Sequence, residues 1–156
     1  NGVVVAANYN SPGQVVISGS PEAVESVMDS AKASGARMTV QLNVSGAFHS
    51  PLMAPAREAL AEMLDSLEIS NSLFPVFTNV DAKPVIQGND IKDSLIRQLE
   101  NPVLWSKSIF SMKESGIESF VEVGPEKVLQ GLNKRIDRKM LSQGVESLEH
   151  VKHFNV

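Results

Sequence analysis

The amino-acid sequence predicts an α/β chain, a mainly parallel sheet covered by helices and preceded by an incomplete β-β-α-β unit. Three observations carry this. Apolar residues recur at three- and four-residue steps in several windows, the period of a helix with one buried face. Short runs rich in valine, isoleucine and phenylalanine lie between those windows, bounded by Gly, Pro, Asn and Ser. Beyond the first third of the chain, strands and helices alternate, the order that builds parallel sheets.

In chain order, Val3 to Ala7 and Gln14 to Ser18 read as an antiparallel hairpin, with Asn8-Tyr9-Asn10-Ser11-Pro12-Gly13 as a longish loop. A helix follows, with Ser20 as its cap, Pro21 at its first position and Gly35 at its end. Ala23, Val24, Val27, Met28 and Ala31 form its apolar face. Met38-Thr39-Val40-Gln41-Leu42-Asn43-Val44 alternates like a half-buried strand. The resulting β-β-α-β order is a βαββαβ ferredoxin-like unit without its first strand and helix.

A second helix starts between Pro51 and Pro55 and runs to about Leu67, with Ala56, Leu60, Met63, Leu64 and Leu67 expected inward. Phe74 to Thr78 is a short strand. Asp90 is the expected cap of a helix bearing Ile91, Leu95, Ile96 and Leu99. Asn101-Pro102 opens another, carrying Trp105, Ile109 and Phe110 and ending at Gly116. Ser119 to Val123 is a strand, and Gly124-Pro125 turns it into a helix with Val128, Leu129, Leu132 and Ile136. From Leu141 onward the periodicity fades and a tail is expected. No internal repeat or low-complexity segment occurs.

Composition narrows the function classes. The chain has 156 residues, 42% hydrophobic and 21% charged, which suits one globular domain or a large piece of one. A net charge of −4 argues against a general nucleic-acid binder. The absence of cysteine excludes a disulfide framework, a thiolate nucleophile and a zinc–thiolate site. No apolar run reaches the length of a membrane span. The chain opens directly on strand residues, Asn1-Gly2-Val3-Val4-Val5-Ala6, without an initiator methionine. It therefore reads as part of a longer protein, from which a targeting segment could have been lost.

His49 is the leading candidate for chemistry. It lies between the small residues Ala47 and Ser50, after a predicted strand and at the mouth of a predicted helix. Imidazole is a common general base because its ordinary pKa lies near neutrality; a capping or surface histidine is the alternative. A base needs a nucleophile and an orienting group. The G-x-S-x-G elbow that exposes a serine on a strand-to-helix turn does not occur here, and Ser45 and Ser50 are too near His49 in sequence to be obvious partners. Gln98 sits near a helix C-terminus before Pro102, where free carbonyls can accept a ring N–H; an exposed helix residue is the alternative. Asn8, Asn10 and Gln14 surround a turn, where such residues are commonly structural. His150 and His153 form an H-x-x-H pair without a third metal ligand. Lys134-Arg135 with Arg138-Lys139 is a small basic cluster, a solvated face or a dock for an acidic partner.

Five segments together resemble the malonyl-CoA:acyl carrier protein transacylases. They are Ala7 to Gly19, Gly46-Ala47-Phe48-His49-Ser50-Pro51-Leu52-Met53, Thr78-Asn79-Val80-Asp81, Ile96 to Trp105, and Glu122-Val123-Gly124-Pro125. The resemblance is collinear over about residues 1 to 138 and implies the C-terminal half of such an enzyme. That means a partial hydrolase-like parallel sheet with an incomplete ferredoxin-like small subdomain over 1–44, large-domain residues over 45–140, and a tail over 141–156.

The resemblance implies transfer of malonyl from coenzyme A to the phosphopantetheine thiol of acyl carrier protein, in fatty-acid biosynthesis, through a serine ester. His49 matches the general base, and Gln98 the residue whose backbone carbonyl holds the other ring nitrogen. Phe48 matches the position that goes with malonyl over branched extenders in related domains, and Asn10 and Gln14 match a pocket-lining loop.

Malonyl-CoA and acyl carrier protein are the implied partners, together with the missing N-terminal half. No cofactor is implied, since coenzyme A thioester and phosphopantetheine act as substrates, and no nucleic acid or membrane partner either. The implied location is cytoplasmic. The serine elbow, the malonyl-clamping arginine and the glutamine of the oxyanion region have no match, so the chain alone is expected to be inactive. Glu126 stands where many members carry glycine. The alternatives are an acyltransferase domain of a multidomain polyketide or fatty-acid synthase, and a non-catalytic truncated module that docks carrier protein.

Overall fold

Pro12 and Gly13 reverse the chain in two residues, because proline presets the first corner of a β-turn and glycine accepts the positive φ of the second; Gly13 has φ 78°. In the computed structural model, which describes residues 2–154, the turn joins β1 (Val4–Ser11) to β2 (Gln14–Gly19) in an antiparallel pair. The longish loop expected over Asn8 to Gly13 is instead mostly strand. Two register shifts leave Ala7 and Asn10 as extra residues in β1, so the irregular composition is absorbed as bulges. On its other side β1 bonds to the segment before the fourth helix. Tyr9 N–H donates to Val103 O at 2.8 Å, and Val103 N–H to Ala7 O at 2.8 Å.

Helix α1 (Pro21–Ala33) begins after Ser20, as expected, but the Ser20 hydroxyl does not cap it. That hydroxyl points to Val3 O at 3.4 Å. Gly19 is required there, since a Cβ would lie 2.0 Å from Val3 O. The strand expected over Met38–Val44 does not form. The segment is extended but unpaired, and Met38, Val40, Leu42 and Val44 are each more than half exposed. Alternation reports which way side chains point; a strand also needs a neighbour to bond, and none of the described strands lies beside this segment.

A short 3₁₀ turn (Pro51–Met53) leads into α2 (Ala54–Asp65), where Leu64 is buried but Ala56 and Met63 are exposed, as is Leu67 beyond the helix end, contrary to expectation. The predicted strand over Phe74 to Thr78 shrinks to β3 (Val76–Phe77), antiparallel to β4 (Pro84–Val85). Helix α3 (Gly88–Arg97) has Gln87 at its cap position and Asp90 inside its first turn. Asn71 Oδ1 accepts from Gly88 N–H at 2.9 Å, so the cap comes from a distant residue. Helix α4 (Trp105–Glu114) packs on β1, its Ile109 fully buried and its Phe110 half exposed.

β5 (Ser119–Val123), α5 (Val128–Ile136) and β6 (Leu141–Val145) make a β-α-β unit. Their strands are parallel, in register from Ser119↔Leu141 to Val123↔Val145. This is the one parallel strand pair among the described residues, the other two sheets being antiparallel. The stretch after Met140, expected as a tail, therefore contributes β6 and then α6 (Leu148–Lys152). Its strand escaped detection because Ser142, Gln143 and Gly144 interrupt the apolar pattern. The fold is mixed α/β, and its buried apolar residues are Ala7, Leu64, Ala82, Ile109, Leu132 and Val145.

Glu126 adopts φ 72°, a left-handed conformation that costs a side-chain-bearing residue about 1–2 kcal/mol. It is exposed in the β5–α5 turn. Glu126→Gly is expected to raise stability by about 0.5–1 kcal/mol after the entropy cost of glycine, read as a Tm increase of a few degrees. A lower Tm would show that the carboxylate compensates the strain.

Candidate active site

Ser50 sets the local geometry around His49. It is fully buried, its hydroxyl donates to Ala47 O at 2.6 Å, and its Oγ accepts from Leu52 N–H at 3.3 Å. The hydroxyl thus closes the turn before the 3₁₀ segment and is not free to act as a nucleophile. His49 itself has φ 59°. Such strained residues persist where the surroundings over-determine them, and here the imidazole is held from a second element.

Nδ1 of His49 lies 2.8 Å from Gln98 O and 3.2 Å from Asn101 O. A carbonyl only accepts, so Nδ1 must carry the proton and Nε2 is left with its lone pair. Gln98 is the C-cap of α3. In a continuing helix its carbonyl would accept from the N–H four residues on, but that residue is Pro102, which has none. Gln98 O is therefore free for the imidazole. Asn101 O, the second acceptor, was not expected; Asn101-Pro102 was expected to open the next helix, which starts only at Trp105, so Asn101 lies in the turn before it.

The C-terminal end of α3 is tied down by the Thr78-Asn79-Val80-Asp81 segment. Arg97 forks onto Asp81, with Nη1 donating to Oδ1 at 3.1 Å and Nη2 to Oδ2 at 2.6 Å, while Nε reaches Asp93 Oδ2 at 2.5 Å. The hydrogen bonds from Arg97 hold the Asp81 carboxyl below the usual carboxylate range, outweighing its partial desolvation. Asn79 Nδ2 donates to Gln98 Oε1 at 3.3 Å, Leu104 N–H to Asn79 O at 2.9 Å, and Asn101 Nδ2 to Arg97 O at 2.8 Å.

The other candidates lie at varying removes. Phe48 is half exposed, and its ring folds over Gly46, where a Cβ would meet the ring edge at 3.3 Å. Asn10 sits at the second bulge of β1. Gln14 Oε1 accepts from Arg135 Nη1 at 2.6 Å, which ties the hairpin to α5. Among the described residues no hydrogen bond joins Asn10 or Gln14 to His49. His150 Nδ1 accepts from Glu146 N–H at 3.2 Å, and His153 Nε2 lies 3.1 Å from Glu149 Oε1. The described residues contain no group of three His, Cys, Asp or Glu arranged to hold a metal, and no helix long and apolar enough to cross a membrane.

The acyl transferase domain family matches residues 1–151. The malonyl CoA-acyl carrier protein transacylase of Bacillus subtilis is 43% identical over 149 residues, covering 96% of this chain and 47% of that enzyme. The Escherichia coli transacylase is 48% identical over 134 residues, 86% of this chain and 43% of the enzyme. An acyl carrier protein S-malonyltransferase from Vibrio cholerae superposes with a TM-score of 0.92 at 40% identity, covering 98% of this chain and 50% of that one. A malonyl-transacylase solved in complex with a type II PKS acyl carrier protein does so with a TM-score of 0.90 at 41% identity, over 97% and 49% of the two chains. The chain thus spans about half the length of the relatives it matches.

Proposed function

Because the chain belongs to the acyl transferase domain family, we propose that it is the base-bearing part of a malonyl-CoA:acyl carrier protein transacylase of fatty-acid biosynthesis. The observation that carries this reading is the His49 ring, with its Nδ1 proton committed to two carbonyls and its Nε2 lone pair unspent.

The chemistry is a double displacement. Nε2 takes the proton of a serine hydroxyl as Oγ attacks the malonyl thioester carbon. The tetrahedral intermediate collapses, the C–S bond breaks, and the imidazolium returns the proton to the leaving coenzyme A sulfur. Nε2 next takes the proton of the phosphopantetheine thiol, whose sulfur attacks the malonyl-serine ester. The imidazolium then protonates the departing serine oxygen, and the enzyme is restored. Both carbonyls on Nδ1 point their negative ends at the ring and favour the transient imidazolium, as a triad carboxylate does.

The serine is supplied by a G-x-S-x-G segment that these 156 residues do not contain. In this reading residues 1–44 belong to the small subdomain and 45–140 to the large one, and the enzyme works in the cytoplasm. Asn10 and Gln14 edge the pocket from the β1–β2 hairpin.

Phe48 gates the acyl group, since a phenyl ring beside the base crowds an α-methyl substituent, worth about 1–3 kcal/mol of discrimination. The test is competition between malonyl-CoA and methylmalonyl-CoA in an assembled enzyme. Transfer of malonyl to carrier protein is expected, and Phe48→Ser should raise the methylmalonyl-to-malonyl ratio about tenfold or more. Transfer of neither group would refute the assignment; an unchanged ratio would remove Phe48 from the gate.

A further inference from the structure

We propose that Arg57 and Glu100 are a positioning pair that sets the His49 imidazole against its carbonyl acceptors, an inference that rests on His49 being the base. Arg57 stands on α2 and Glu100 in the turn after α3, and Arg57 Nε lies 2.5 Å from Glu100 Oε2. Their side chains are 34% and 24% exposed, the lowest combined exposure of the ion pairs among the described residues.

The pair closes a ring of contacts. His49 is followed by Ser50, whose buried hydroxyl locks the turn into the 3₁₀ segment and so into α2. Arg57 reaches from α2 to Glu100, which lies between Gln98 and Asn101, the two residues whose carbonyls hold Nδ1. Imidazole and acceptors therefore belong to different elements, and the ion pair links those elements directly. On the far side, Arg97 anchors the end of α3 to Asp81, while its Nε pairs with Asp93 one turn earlier in the same helix. Elsewhere α2 meets α3 through packing and the Lys92–Asp65 pair, whereas Arg57 is the α2 residue whose ion pair reaches the acceptor turn itself among the described residues.

A partly exposed ion pair adds little to global stability, whereas misplacing a catalytic group by about 1 Å can cost about a hundredfold in rate. The pair should thus matter more to the ring than to the fold. Ring tautomers read this directly. His49 must hold its proton on Nδ1, while His150 must hold it on Nε2, because His150 Nδ1 accepts from Glu146 N–H at 3.2 Å. One molecule carries both the probe and its control.

The experiment is ¹⁵N NMR of the imidazoles of this chain at about pH 9, where histidine is neutral, for wild type, Arg57→Met, Glu100→Gln and the charge-exchanged double variant R57E/E100R. We expect His49 to report Nδ1–H in wild type, to drift toward the Nε2–H form in both single variants, and to recover in the double variant. His150 should stay constant throughout. In an assembled transacylase Glu100→Gln should lower kcat about tenfold at unchanged KM. A folded Glu100→Gln protein with an unchanged His49 signature would overturn the proposal, as would a wild-type His49 in the Nε2–H form. Glu100→Gln preserves shape and decides the matter if Arg57→Met does not fold. The expected NMR pattern with full activity in a His49 variant would instead refute the base assignment and leave the positioning intact.

Discussion

Replacing His49 by alanine in an assembled transacylase is expected to lower malonyl transfer by about 10⁴- to 10⁶-fold, the range for removing the base of a nucleophile–base unit. In the proposed mechanism its loss would leave neither serine nor pantetheine thiol a positioned group to take its proton, and the departing thiolate no acid to return one. Alanine at φ 59° is strained, so a second variant separates chemistry from folding. Asparagine tolerates the left-handed region and keeps an N–H for the carbonyls of Gln98 and Asn101, but it lacks the basic nitrogen. His49→Asn should therefore fold well and be as inactive as His49→Ala. The residues alone, without a serine-bearing segment, give the baseline. A rate within tenfold of wild type for either variant would exclude His49 as the base.

Ile109→Ala is expected to be the most destabilising single truncation, at about 2–4 kcal/mol. In a chain of this size that is a Tm drop of about 5–15 °C by thermal melting. Ile109 is 0% exposed, and its helix packs on β1 and on α5. β1 in turn bonds to Val103, next to the turn that holds the His49 acceptors. A cavity at Ile109 therefore loosens the seam between the hairpin and the site. The same truncation at Met63 or Val123, both largely exposed, should cost less than about 0.5 kcal/mol. A loss below about 1 kcal/mol at Ile109 would mean that the surrounding helices collapse into the vacated space.

The site was partly legible in the amino-acid sequence, for local reasons. Pro102 follows Gln98 by four residues and removes the N–H that would have occupied its carbonyl. Ala47 and Ser50 are small, Phe48 lies directly beside the base, and His49 is partly exposed. The resemblance to malonyl transacylases paired His49 with Gln98, and their distance is 2.8 Å. What stayed hidden was long-range: Asn101 O as second acceptor, Arg57 reaching Glu100, and Asn79 reaching the Gln98 amide. These join residues whose sequence neighbourhoods say nothing of one another.

Glu126 lies between these cases. It was legible as a departure from glycine, and its φ of 72° gives the departure a stability cost.

The approximate positions of α1 to α5, the Pro12-Gly13 reversal and the strand-to-helix turn at Gly124-Pro125 were determined by the sequence itself. They depend on proline, glycine and the 3.6-residue period, which act within a few residues. Only the tertiary structure decided which faces are covered and which strands pair. Met38–Val44 has the alternation of a strand and no partner, whereas Leu141–Val145 has a weak pattern and pairs with β5 through five residue pairs. The α2 face splits likewise, with Leu64 buried and Met63 exposed. Periodicity sets the direction a side chain points, but burial and pairing depend on what arrives from elsewhere in the chain.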